Sequence, residues 1–130
     1  MNHEQLAELA KQAMKKAYAP YSGYQVGAAL LAKSGKVYLG CNIENASFSP
    51  TCCAERTAFF KAVSEGERAF SAIAVAGGKG GVVEGIFPPC GVCRQVMQEF
   101  CGKDFEICMV KPDGLQIVTL EELLPYGFQL

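Results

Sequence analysis

With 130 residues, half of them apolar, and a formal charge of −1, the chain has the size of one compact domain spanning residues 1–130, which buries roughly two-thirds of the surface its unfolded form exposes. No apolar run reaches the ~18 residues of a membrane span, and no dense Lys/Arg block offers the many cationic contacts that a phosphate polymer demands. Membrane insertion is excluded and a nucleic acid polymer is a poor partner, which leaves a small neutral ligand.

The N-terminal stretch "MNHEQLAELAKQAMKKAY" sets Leu6, Leu9, Ala10, Ala13, Met14 and Ala17 on one helical face, with charges around the remainder. It lacks a signal peptide's apolar centre and cleavage site, so a cytoplasmic location is expected. Pro20 is expected to end this helix. "QVGAALLAKSGKVYLGCNIE" reads as an antiparallel hairpin around Ser34-Gly35. Both alternating sets of its first strand are apolar, Val26, Ala28 and Leu30 against Ala29 and Leu31, which predicts cover on both faces. Residues 53–65 carry a second helix, and "AFSAIAVAGG" supplies another buried strand.

"GGKGGVVEGIFPP" reads as a flexible glycine-rich loop covering a site. It is not a P-loop, because neither Ser nor Thr follows Lys79. A third helix is expected from about Cys90 to Phe100. "FEICMV", the turn "KPDG" and "LQIV" form a second hairpin, and Thr119 with Glu122 makes a capping box for a short last helix closed by Pro125. The sum is an α/β chain of about five strands with helices on both faces.

Seven cysteines remain to be explained: Cys41, Cys52, Cys53, Cys90, Cys93, Cys101 and Cys108. A secreted disulfide scaffold normally pairs an even set, so metal ligands, redox thiols or core residues in a reducing compartment are expected instead. His3 is the only histidine, far from any nucleophile motif, so Ser-His and Cys-His mechanisms lack a base. Cys90 and Cys93 lie at i and i+3 where a helix begins, and Cys53 starts another helix. If those two helix ends converge, three sulfurs enclose a tetrahedral zinc with its fourth position open, the pattern of a catalytic site. Cys41, Cys52, Cys101 and Cys108 read as small buried thiols.

Arg56 and Arg94 directly follow two of the candidate ligands, in "CAER" and "CGVCR". Both are expected to donate hydrogen bonds to thiolates, alongside the positive ends of two helix dipoles. Glu55, two residues past Cys53, can lean over the open position and carry protons; alone, a first-turn Glu would only offset the helix dipole. Two other readings of these residues are a structural zinc in a binding module and a Cys90/Cys93 redox dithiol.

Cys53-Ala54-Glu55, with Cys90 following after 34 intervening residues inside Pro89-Cys90-Gly91-Val92-Cys93, matches the zinc-deaminase signature in its three-cysteine form. More closely, the chain resembles the homotetrameric cytidine deaminases. "YAPYSGYQVGAAL", "GCNIENAS", "CAERTA", "PCGVCRQV" and "EELLP" occur in order over nearly its whole length. The resemblance implies a three-layer α-β-α sandwich around a mixed five-stranded sheet. It implies Zn2+ on Cys53, Cys90 and Cys93, proton transfer by Glu55, and the ribose 3′-hydroxyl held by Asn42 and Glu44. Backbone near Ala54 and Cys90 would hold the amide edge of the base.

Tyr24 stands where the family usually has a Phe stacked on the pyrimidine, and Pro88 where a Ser is common. Phe128 resembles a C-terminal aromatic that reaches a neighbouring subunit's site. The implied reaction is hydrolytic deamination of cytidine and 2′-deoxycytidine in pyrimidine salvage. The alternative is deamination of a cytosine nucleoside antibiotic such as blasticidin S. "KPDG" is too short for the helix that a parallel crossover needs, so the last two strands should run antiparallel, unlike those of polynucleotide deaminases.

Overall fold

Along the first strand every residue from Gly27 to Leu30 is buried, so the sheet it belongs to must be covered twice. The computed structural model, which describes residues 1–130, shows how. Five strands, β1 Tyr24–Ala32, β2 Val37–Cys41, β3 Phe70–Lys79, β4 Glu106–Lys111 and β5 Gly114–Thr119, form one sheet in the order β2-β1-β3-β4-β5. Only β3 and β4 pair in parallel, joined through a helix; the remaining neighbours, including β4 with β5, are antiparallel. The helices are α1 His3–Met14, α2 Ala54–Ser64, α3 Gly91–Phe100 and the short α4 Leu120–Leu123.

Alternation sorts each central strand between two apolar layers. Ala28, Leu30, Ile73, Val75, Ile107 and Met109 face α2 and α3, packing on Ala58, Phe59 and Met97. Ala29, Ala72, Ala74, Ala76, Cys108 and Val110 face α1, where Leu6, Ala10 and Met14 complete the layer. The expected three-layer α-β-α sandwich with a mixed five-stranded sheet is the observed one. No helix is long and apolar enough to cross a membrane.

One boundary and one loop differ from the sequence reading. α1 stops at Met14 rather than at Pro20, because the backbone of Tyr18 is drawn into pairing: its N–H donates to the Asn42 carbonyl, and its carbonyl accepts from the Glu44 N–H. β3, Phe70–Lys79, matches the expected strand "AFSAIAVAGG" to within one residue, so the first glycines of the glycine-rich stretch are strand. The rest of that stretch folds back and is bonded to β3, Glu84 N–H donating to the Gly77 carbonyl at 3.2 Å. It is a fastened return, not the loose cover expected.

The register sets up a site at one end of the sheet. Tyr24 pairs with Lys79 and Gly27 with both Cys41 and Ala76, which gathers the start of β1, the exit of β2 and the end of β3. α2 then begins directly over β2. A Cβ on Gly40 would stand only 2.4 Å from the Ala54 carbonyl oxygen, so glycine there is what lets the first turn of α2 sit this low.

Candidate active site

Cys53 and Cys90 are the N-cap residues of α2 and α3, both with extended backbone and neither side chain used as a cap. A Ser or Asp at either place would spend its oxygen on the helix's free N–H groups; a thiol is left available. Cys93 stands one turn into α3. The sulfurs of Cys53 and Cys90 are 3.8 Å apart and those of Cys90 and Cys93 3.5 Å, and all three lie within 4.8 Å of one another with no fourth donor in the group.

Zinc–sulfur bonds of ~2.3 Å in a tetrahedron put sulfurs about 3.8 Å apart, so this soft donor set fits zinc in spacing and chemistry. Hydrogen bonds from Cys93 first, then from Arg56 and Cys90, draw the Cys53 thiol down to about 5. Cys93 is pushed up, chiefly by its bond to Cys53 and then by burial.

Glu55 lies at the second position of α2 and is 4% exposed. Burial raises its carboxyl to about 7, and the neighbouring Cys53 charge pushes the same way. It lines a cavity of about 260 Å³ together with Cys53 and Cys90, without joining the donor group. The size is close to the ~300 Å³ at which small-molecule sites begin.

Arg56 donates from Nη2 to the Cys53 sulfur at 3.4 Å, as expected; its Nε is buried without a partner. Arg94 does not reach a thiolate. Its Nε donates to the Pro89 carbonyl at 2.7 Å and Nη1 to the Leu123 carbonyl at 2.6 Å. That corrects the expectation, for a planar fork is satisfied by two backbone oxygens and has no reason to turn to sulfur.

Asn42 and Glu44 also line the cavity. Asn42 is locked by β1: Oδ1 accepts from the Val26 N–H at 2.8 Å and Nδ2 donates to the Tyr24 carbonyl at 2.8 Å. Glu44 accepts from the Tyr21 and Ser22 N–H groups and from the Ser22 hydroxyl. Between them, Ile43 exchanges two 2.9 Å backbone bonds with Cys52. One short bridge therefore fixes the Asn42/Glu44 pair relative to Cys53.

Five-strand topology, a three-sulfur cluster at two helix N-termini and a buried carboxyl thus meet at one cavity. The family model for the cytidine and deoxycytidylate deaminase zinc-binding region matches residues 1–109. The chain belongs to that family. A cytidine deaminase of Sporosarcina psychrophila is 49% identical over 129 residues, covering 98% of this chain and 92% of the relative. One of Halalkalibacterium halodurans is 51% identical over 129 residues, covering 98% and 95%. Among solved structures, a cytidine deaminase from Burkholderia pseudomallei superposes with a TM-score of 0.90 at 46% identity, over 98% of this chain and all of that one. As a member of the deaminase family the chain is an enzyme, a hydrolase by reaction class.

Around this cavity the remaining residues fall out differently. The backbone of Ala54 borders the cavity, but Tyr24 is not among its lining residues; the Tyr24 ring meets Phe87 instead. Phe128 is 63% exposed on the C-terminal tail, outside the cavity of its own chain. Cys101 and Cys108 are buried core thiols, each raised to about 12 chiefly by burial. Cys41 and Cys52 are only half-buried, and Cys52 lines the cavity, so the buried-thiol reading fails for these two. Val26, Thr51, Phe87 and Pro88 complete the lining. Of these, Val26 entered the sequence reading only as a strand residue and Phe87 only within the glycine-rich loop, whereas Pro88 was singled out beside Pro89-Cys90.

Proposed function

We propose that this chain hydrolyses cytidine and 2′-deoxycytidine to uridine and 2′-deoxyuridine, releasing ammonia, as a step of pyrimidine salvage. The observation that carries the reading is Glu55, 4% exposed at the start of α2, bordering one cavity with Cys53 and Cys90 and with Asn42 and Glu44. Cys53, Cys90 and Cys93 would hold zinc, a Lewis acid that supplies activated water near neutral pH, where a bound water has a pKa of ~7.

Glu55 does the proton work. Raised to about 7, its carboxyl can both accept and return a proton near neutrality. It takes one proton from water and gives it to N3 of the pyrimidine; once oxygen has added at carbon 4, it takes that oxygen's remaining proton and delivers it to the departing amine. Oxygen enters at carbon 4 and nitrogen leaves as ammonia, so substrate plus water balances product plus ammonia. Arg56 stabilises the Cys53 thiolate, while Asn42 and Glu44 hold the ribose 3′-hydroxyl and so fix carbon 4 at the sulfur end. Backbone at Ala54 receives the amide edge of the base.

The enzyme works as a homotetramer of one-domain subunits whose sites are completed across interfaces. Exposed Phe60, Tyr126 and Phe128 support that reading. Seven unpaired thiols suit the reducing cytoplasm. Ultraviolet absorbance of cytidine followed with purified protein should fall, and a strong chelator should stop the change. Glu55→Gln should abolish turnover, by about 10²–10⁴-fold, while leaving one zinc per chain bound. Zinc lost along with activity would refute the proton role.

A further inference from the structure

Phe87 is the one aromatic side chain lining the cavity, and the structure holds it from several sides. Its ring lies against the backbone of β3: a Cβ on Gly77 would stand 2.6 Å from its Cγ. Its centroid is 5.8 Å from that of Tyr24, whose own ring carries the Lys79 ammonium 4.9 Å from its centre. The chain leading into Phe87 is pinned as well. Gly77 and Gly85 pair as an isolated bridge, and the Glu84 carboxylate accepts from the Lys79 N–H. A ring seated this way has nowhere to retreat.

We propose that Phe87, rather than Tyr24, forms the aromatic wall of the base pocket and sets the size tolerated at carbon 5 of the pyrimidine. The assignment rests on the cytidine reading and follows from the shape of the substrate. In a cytosine nucleoside the sugar is on N1 and the amine on carbon 4, across the ring from each other. With carbon 4 at Glu55 and the sugar at Asn42 and Glu44, the base spans the cavity between them. Its polar edge, N3 and the 2-carbonyl, needs hydrogen-bonding backbone such as that at Ala54. Its apolar edge, carbons 5 and 6, falls to the apolar lining of Val26, Phe87 and Pro88. Of these three, Phe87 is the largest and the one backed directly by strand backbone.

The test compares kcat/KM for 5-methylcytidine and cytidine in the zinc-loaded enzyme and in Phe87→Val, Phe87→Leu, Gly77→Ala and Tyr24→Phe. Trimming the wall should raise the 5-methyl to unsubstituted ratio about tenfold in Phe87→Val, and in the same direction in Phe87→Leu, which keeps more of the packing. Gly77→Ala, which drives the ring toward the cavity, should lower the ratio, and Tyr24→Phe should leave it unchanged. Opposite signs on the two sides of one ring are not produced by a general loss of stability. A ratio within twofold of the parent in both Phe87 variants, or an equal shift in Tyr24→Phe, overturns the assignment. Failure of the parent protein to deaminate cytidine overturns the functional reading itself, so the two outcomes are told apart by the unsubstituted substrate.

Discussion

Glu44 owes its orientation to neighbours that no motif singles out. Its carboxylate accepts from the Tyr21 N–H at 2.9 Å, the Ser22 N–H at 3.1 Å and the Ser22 hydroxyl at 2.5 Å. Donation to the ionised form, led by that hydroxyl, holds the carboxyl below its ordinary range. A carboxyl depressed in the folded state keeps its contribution above the unfolded value and loses it as pH falls through the folded one. Ser22→Ala removes the largest cause, so the loss should move to higher pH. If Glu44 holds the ribose, KM for cytidine should rise about three- to tenfold with kcat little changed. The acid-side rise in KM should also begin at a higher pH than in the parent. Steady-state kinetics through the acidic range check this, and an unmoved acid limb refutes the coupling.

Between elements, Arg94 acts as a clasp. One arm of its guanidinium holds the Pro89 carbonyl ahead of α3 and the other the Leu123 carbonyl at the end of α4, tying the Cys90 turn to the C-terminal segment. Hydrogen bonds from a charged donor contribute ~1.5–3 kcal/mol. For this half-buried fork, Arg94→Met should cost about 2–3 kcal/mol, with Arg94→Lys recovering only part because a point charge cannot hold both oxygens. Denaturant unfolding at fixed protein concentration measures it; equal stability of Arg94→Met and the parent would dismiss the clasp. The sequence hides this role, since backbone acceptors leave no trace in side-chain identity and an arginine beside a ligand cysteine reads as a thiolate donor. The Cys90/Cys93 pair, by contrast, lies within one helical turn, so its geometry was legible from spacing. So was the two-sided cover of β1, from its double alternation. The fastening of the loop after β3 was not, because it rests on a backbone bond from Glu84 to Gly77 that side-chain identity does not display. The early stop of α1 depends on Tyr18 meeting Ile43, a pairing local periodicity cannot reveal. Phe87 lay in the stretch read as a loop over a site but was not singled out there; Gly77 of β3, packed behind its ring, does so.

At the scale of the molecule, the surface is unevenly finished. Phe48 and Tyr126 are exposed aromatics held at φ of 63° and 59°, a left-handed conformation that non-glycine residues seldom adopt without a reason. Tyr126 sits on the C-terminal segment, which is fastened along α3 by Gln95 donating to the Phe128 carbonyl and Gln129 to the Gln98 carbonyl. So anchored, the tail leaves Phe128 exposed and outside its own chain's cavity. If, as proposed, another copy completes the site, mixing two variants restores activity that neither has alone. Glu55→Gln chains keep Phe128, and Phe128→Ala chains keep Glu55. After mixing, dissociation and reassembly in equal amounts, half the sites retain Glu55 and half of those receive Phe128 from a Glu55→Gln neighbour. The mixture should then recover about a quarter of the parent rate, although neither variant alone approaches it. If each chain furnished its whole site, the mixture would show only half the rate of Phe128→Ala by itself. Assaying cytidine turnover before and after reassembly separates the two arrangements.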